Sequence, residues 1–272
     1  MQKSLSAMLN KVPQVTIFFW IIKILATTVG ETAADYLNFN LNLGLTNTTY
    51  VISAFLLVTL FFQFRSNKYV PSLYWLAVVL ISIVGTLITD NLVDNLEVSL
   101  ETTTIAFAIA LLVTFVVWYA SERTLSIHSI FTTKREAFYW LAILFTFALG
   151  TAAGDLVAEG LALGYWVSGL MFAGLIAVVT IAHYNFKLNA VLAFWIAYIL
   201  TRPLGASLGD YLSQPVDAGG LALGTVGTSA IFLGTILVLV IFLTMTRKDA
   251  LPLPNAVEAE SKGHCGNITE TL

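Results

Sequence analysis

Four carboxylates recur at a fixed place in the chain. Asp35, Asp90, Asp155 and Asp210 each stand 15 residues after a Trp and five after a Gly: Trp20 and Gly30, Trp75 and Gly85, Trp140 and Gly150, Trp195 and Gly205. Three unlike residue types held at one spacing through four copies define an internal repeat. A ring of four acids at one end of a helical bundle would gather cations. A structural reading competes with it, in which each Asp accepts hydrogen bonds from the free N–H groups that open the next helix and so clasps a short hairpin. The spacing fits both.

Two copies carry charges that the others lack. Lys23 follows its Trp by three residues, where the other copies have Val78, Ile143 and Tyr198; Arg202 follows its Trp by seven, where the others have Thr27, Ser82 and Phe147. Glu31 lies four residues before Asp35, on the same helix face, and its counterparts are Thr86, Thr151 and Ala206. A charge near mid-bilayer costs about 2.5–3.5 kcal/mol even on the mildest insertion scale, so such residues face a bundle interior and find partners. In a closed ring the first and fourth copies are neighbours, which would bring Lys23, Glu31 and Arg202 together. Three readings follow: a buried ionic pin, a coupling centre in which Glu31 exchanges a proton or cation against fixed positive charge, or an anion-binding pair of Lys23 and Arg202. Pro203 should kink the helix beside Arg202 and free backbone carbonyls.

Composition sets the solvent for these groups. Of 272 residues, 58% are hydrophobic and 11% charged, against about 25% charged in soluble domains, so lipid is the surrounding medium. Net charge is −3 with no basic tract, which excludes nucleic acid as a partner; the single Cys265 excludes an internal disulfide or a cysteine metal site. Eight apolar segments are long enough to span a bilayer, at about 13–37, 45–64, 70–93, 101–120, 136–158, 162–182, 189–211 and 222–245. The first is too long for a signal-peptide core and is read as a retained helix. The predicted fold is an all-α polytopic membrane protein, eight transmembrane helices from four parallel two-helix repeats (about 12–66, 67–121, 134–188 and 189–248) in a pseudo-fourfold arrangement. Those repeats make one transmembrane domain over 1–248, and 249–272 is expected to be a disordered tail.

The helices that must position the acids carry their own signals. Four residues after each repeat Gly stand Ala34, Thr89, Gly154 and Gly209, a small-xxx-small face that lets backbones pack closely in lipid. The Trp, near the other end, reads either as an interfacial aromatic belt or as pathway lining. A turn motif precedes each second helix: Leu41 to Gly44, Leu96 to Ser99, Leu161 to Gly164 and Leu221 to Gly224. The fourth copy gains five residues before it, around Gln214 to Gly219. Eleven of the 13 Lys and Arg fall on the side of the termini, and none in the opposite loops, so both termini are expected in the cytoplasm. The opposite end adds Asp94, Glu97, Glu101, Glu159 and Asp217 to the repeat acids, a field that favours cations. His128, His183 and His264 suggest no metal site, and no catalytic triad, zinc motif or phosphate loop is present, so neither enzyme chemistry nor a cofactor is expected.

The opening Lys11 to Thr16, then Phe19 to Leu25, Gly30 to Thr32 and Asp35-Tyr36, resembles a bacterial family of uncharacterised membrane-anchored proteins built from four tandem two-span repeats, each with a marked Trp. The resemblance covers nearly the whole chain except the tail and is looser in the second copy, where Ser99 replaces Gly. It implies a bacterial inner-membrane location and carries no substrate or site residue. The function expected from the residues is transport of a small ion, foremost a cation and in particular proton-coupled export of a divalent metal. A small-anion or organic-acid carrier using Lys23 and Arg202, and a non-transporting scaffold, are the alternatives. Lipid and a small ion or solute are the expected partners, with oligomerisation left open.

Overall fold

The computed structural model describes residues 10–41 and 43–249, apart from the Phe39 side chain. Eight helices cross from end to end: α1 Ile17–Asp35, α2 Leu45–Arg65, α3 Pro71–Asp90, α4 Leu100–Glu122, α5 Thr133–Asp155, α6 Tyr165–Phe186, α7 Ala190–Ser213 and α8 Gly224–Thr246. All are long and apolar enough to span a bilayer. Polar side chains start several of them by taking up free N–H groups: Thr16 accepts from Phe19, Thr132 from Arg135, and Asn189 from both Val191 and Leu192. The protein is a multi-pass membrane protein of four two-helix repeats. Odd helices run toward an acidic end that holds the repeat Asp residues, and even helices return to a basic end that holds Arg65, Arg123, Lys187 and Arg247.

The repeats are stitched together in a way that hydropathy does not reveal. The odd helices form a closed inner ring, α1 on α3, α3 on α5, α5 on α7 and α7 on α1. Each even helix packs outside the inner helix of the following repeat: α2 on α3, α4 on α5, α6 on α7, and α8 back on α1. The two helices of a single repeat barely meet. A lone repeat therefore has little to bury, and its apolar faces are satisfied only by neighbours. Burial separates the two layers: 56–61% of the residues in the most apolar stretch of each inner helix are buried, against 17–28% in the outer ones.

The repeat glycines close the inner ring. A Cβ at Gly85 would sit 2.7 Å from the Cβ of Phe147 and 3.2 Å from the backbone N of Ala148. Gly30 meets Ser82, Gly150 meets Arg202, and Gly205 meets Thr27 in the same way. In all four seams, a Gly ten residues after its Trp abuts the residue seven after the next Trp. Gly85→Ala is therefore expected to lower stability by about 1–3 kcal/mol through overpacking, because backbone must move to admit the methyl. Gly174, on outer helix α6 with nothing within 4 Å, is the control. Gly174→Ala should be neutral or stabilising by up to about 1 kcal/mol from helix propensity, as thermal unfolding in detergent would read.

At the acidic end the first three copies share one hairpin. A five-residue π turn follows each Asp, at Tyr36–Asn40, Asn91–Asn95 and Leu156–Gly160. In the turn motif the second residue is left-handed (Glu97, Ala162 and Ala222), and so is the closing Gly, with φ 75° at Gly44, 76° at Gly164 and 73° at Gly224. Ser99 replaces Gly in the second copy because its φ is −61°; its hydroxyl instead accepts from the Thr102 N–H and caps α4. The fourth copy lacks the π turn, and its extra residues form a short 3-10 segment, Val216–Ala218, where the insertion was expected.

The basic end is strapped. Lys11 N–H donates to the Ile130 carbonyl and Gln14 N–H to the Asp249 carbonyl, while Tyr69 donates to Asp249 Oδ2 at 2.5 Å. Burial and the neighbouring Asp249 raise the Tyr69 hydroxyl far above its usual range, so it remains the donor. Asp249 is thus buried and bonded, not the first residue of a loose tail; the rest of the expected tail, 250–272, lies outside the described residues.

Candidate functional site

The inner helices present one column of residues to the bundle axis, at −1, +3, +7, +11 and +15 from each Trp. This four-residue step is one face of a helix. At the basic end the −1 and Trp positions interlock around the ring. Phe19 meets Trp75 at 5.6 Å between centroids, Tyr74 meets Trp140 at 5.5 Å, Tyr139 meets Trp195 at 6.2 Å and Phe194 meets Trp20 at 5.7 Å. The hydroxyls of Tyr74 and Tyr139 bond across the ring at 2.5 Å. The Trp residues are therefore not an interfacial belt. Trp75, Trp140 and Trp195 are buried and join adjacent repeats, so the layer closes the axis at the basic end. Trp20 alone is partly exposed. It borders a lateral cavity of about 590 Å³ between α1, α6, α7 and the 125–128 linker. His128 and His183 also line it, well away from the acids.

The next two layers hold the buried cations. Lys23, at +3, has 0% exposure; its Nζ lies 4.1 Å from the Phe147 ring centroid and 4.3 Å from that of Tyr198. It has no hydrogen-bond acceptor among the described residues. Arg202, at +7 and also 0% exposed, reaches across the axis to three other helices. Its Nη2 donates to Glu31 Oε2 at 2.8 Å, to Thr151 Oγ1 at 2.7 Å and to Thr86 Oγ1, and its Nη1 approaches the Thr27 carbonyl at 3.4 Å. Glu31, Thr86 and Thr151 are the +11 residues of the other three repeats. The arginine thus inserts into a ring of +11 positions in which its own copy supplies only the small Ala206. Small neighbours make room for it: Gly150 packs against its stem, and Gly154 lies against Pro203. Helix α7 runs unbroken through Pro203.

The acids meet on the far side of that layer. One carboxylate oxygen each of Glu31, Asp155 and Asp210 lie within 4.8 Å of one another, close enough to share a single cation. Among the described residues no hairpin N–H donates to Asp35, Asp90, Asp155 or Asp210, so the clasp reading has no support in the geometry. The four are not equivalent, since Asp210 is buried and the others are half-buried.

Of the three charges expected to converge, two do. Arg202 and Glu31 pair, while Lys23 lies a layer further toward the basic end, next to Arg202 across the Phe147 ring, which Arg202 Cζ approaches to 5.9 Å. A second buried ion pair was not foreseen: Lys11 Nζ bonds Glu136 Oε2 at 2.7 Å and the Phe64 carbonyl at 2.9 Å, and Gln63 donates to Glu136 Oε1 at 3.2 Å. The roles of Thr86 and Thr151 were also missed. The signal for them was present, since all four +11 residues align once the column is read through each copy.

Four consecutive segments, 18–69, 73–124, 138–188 and 193–249, match a family described as a repeat of unknown function, DUF347. Their bounds coincide with the four structural repeats. No curated protein and no solved structure matches the chain. With four tandem copies covering most of its length, the chain belongs to the DUF347 repeat family.

Proposed function

We propose that this protein is a membrane carrier for a small cation, with a divalent metal as the substrate class and a proton as exchange partner. In this reading it lies in a bacterial inner membrane with both termini in the cytoplasm, as the basic loops favour. One observation carries the proposal: Glu31 is bonded to a wholly buried Arg202 and also lies within cation-sharing distance of Asp155 and Asp210. Intramembrane charges of this kind mark ion pathways by default. With no cation present, Arg202 neutralises Glu31. A divalent ion entering among the three carboxylates competes for Glu31, and a proton on Asp155 or Asp210 weakens that site. Ion and proton occupancy are thereby coupled through one side chain. The aromatic layer closes the axis at the basic end, so in this reading an ion reaches the carboxylates from the acidic end.

Glu31→Gln keeps an amide oxygen as acceptor for Arg202 but removes the charge. Purified protein in liposomes, screened against divalent metals with a pH dye inside, should show metal-dependent proton movement that this variant loses at unchanged reconstitution. Wild-type flux in Glu31→Gln would remove Glu31, and the mechanism with it.

A further inference from the structure

Trp20 is the one repeat tryptophan that is not buried, and its counterpart Trp195 shows why. Two aromatic residues of outer helix α4 cover Trp195, Phe115 at 4.9 Å and Trp118 at 5.9 Å between ring centroids. When the turn motifs are aligned, Ser99 with Gly164, those two positions become Thr180 and His183 in α6. Helix α6 packs on α7 as α4 packs on α5, and so stands to Trp20 as α4 stands to Trp195. The two exchanges withdraw both covering rings from the seam between α7 and α1. Thr180, His183 and Trp20 all line the cavity of about 590 Å³ that opens there. The cavity is therefore written into two positions of the third copy.

Shape and polarity specify its occupant. The rim residues Ile17, Thr180 and Tyr184 are exposed on the outside of the bundle, where lipid lies, whereas Ala193, Ala197 and Thr201 at the floor are buried. Along α7 the lining runs from Ala190 to Thr201, about 16 Å at the helical rise. That is half of a hydrocarbon core of about 30 Å, the reach of an acyl chain from one leaflet. Polar groups gather at the basic end, where Ser126, His128 and His183 line the mouth. His183 Nδ1 donates to the Leu188 carbonyl at 2.9 Å, which leaves Nε2 as its free ring nitrogen. None of the lining residues is acidic. Beside the mouth stand Lys187, one turn beyond His183, and Arg123, two residues before Leu125, neither in an ion pair among the described residues. Unpaired cations at the membrane surface attract lipid phosphate. We propose that this cavity holds one phospholipid from the leaflet at the basic end, an acyl chain lying along α7 and the phosphate at the mouth. The assignment does not rest on the cation-carrier reading, and its test measures binding instead of flux.

The full chain, stripped of lipid in detergent, should be titrated with phosphatidylglycerol and followed by native mass spectrometry and thermal unfolding. The wild type is expected to keep a single phospholipid adduct and to gain about 5 °C, saturably. Diacylglycerol with the same chains but no phosphate should give less than half that shift. Thr180→Phe combined with His183→Trp returns to this seam the rings that fill its equivalent in the second copy. The double variant should unfold no lower than lipid-free wild type, keep no adduct and gain nothing from the lipid. No adduct in the wild type, an equal shift with diacylglycerol, or an equal shift in the double variant overturns the site. An adduct that forms only once residues 250–272 are removed would give the cavity to the chain's own tail and overturn it too. Should the double variant fail to fold, a phospholipid with a photoreactive acyl chain decides on the wild type. Labelling concentrated between Ala190 and Thr201 supports the site, and labelling spread over the outer helices refutes it.

Discussion

Arg202→Met is expected to destabilise the protein by about 3–5 kcal/mol, the usual penalty for removing one partner of a buried pair. Glu31, 7% exposed and beside the carboxyls of Asp155 and Asp210, would be left buried with no cation. Thr86 and Thr151 would lose the Nη2 to which both are bonded. Methionine roughly keeps the stem volume that packs on Gly150, so the loss reports charge more than a cavity. Adding Glu31→Gln to Arg202→Met should recover most of the stability, because a neutral pair in a low-dielectric axis carries no uncompensated ion. The measurement is a double-mutant cycle of unfolding in detergent. A coupling energy near zero would mean that the two side chains do not depend on each other, and the axial site as described would be lost.

Much of this architecture was legible because a repeat multiplies weak signals. One Gly ten residues after one Trp means nothing in a chain this apolar, but four such pairs fixed the register, and that register located Lys23, Glu31 and Arg202 as departures from it. The inner ring followed from the small residues at Gly30, Gly85, Gly150 and Gly205, since close backbone approach is the main reason for glycine at an interior helix position in lipid. The Trp residues were misplaced for the opposite reason. An indole one or two turns inside a span fits an interfacial belt as well as an interlocked layer, and only the neighbouring Phe19, Tyr74, Tyr139 and Phe194 discriminate, through contacts between repeats that sequence spacing does not contain. The outer-layer stitching was invisible too, because α2, α4, α6 and α8 are apolar on all sides and nothing in their composition says which inner helix they cover. Among the described residues no hairpin N–H reaches a repeat Asp, because π turns in the first three copies and left-handed residues satisfy the backbone without a side chain. Lys11 was hidden by the statistic that made orientation readable: counted as one basic residue among eleven, it lost its individual chemistry.

That chemistry sets the second large effect. Lys11→Met is expected to cost about 3–5 kcal/mol, since Glu136, 1% exposed, would keep only the hydrogen bond from Gln63. Lys11 joins the segment before α1 to α2 through the Phe64 carbonyl, to the interrepeat linker through Ile130, and to α5 through Glu136. It ties the two halves of the molecule across the basic end, alongside the bonds from Gln14 and Tyr69 to Asp249 and from Gln63 to Glu136. The damage should therefore be local before it is global. Hydrogen exchange followed by mass spectrometry should show early loss of protection at Gln14 and in the 125–130 linker, while α3 and α5 stay protected until the main transition. Pairing Lys11→Met with Glu136→Gln should restore much of the melting temperature, because no ion is then stranded, but not the protection of the strap, which loses its anchor in either case. A strap that exchanges no faster in Lys11→Met than in wild type would show that main-chain bonds alone hold it, and that the buried pair is a passenger on a face closed by other means.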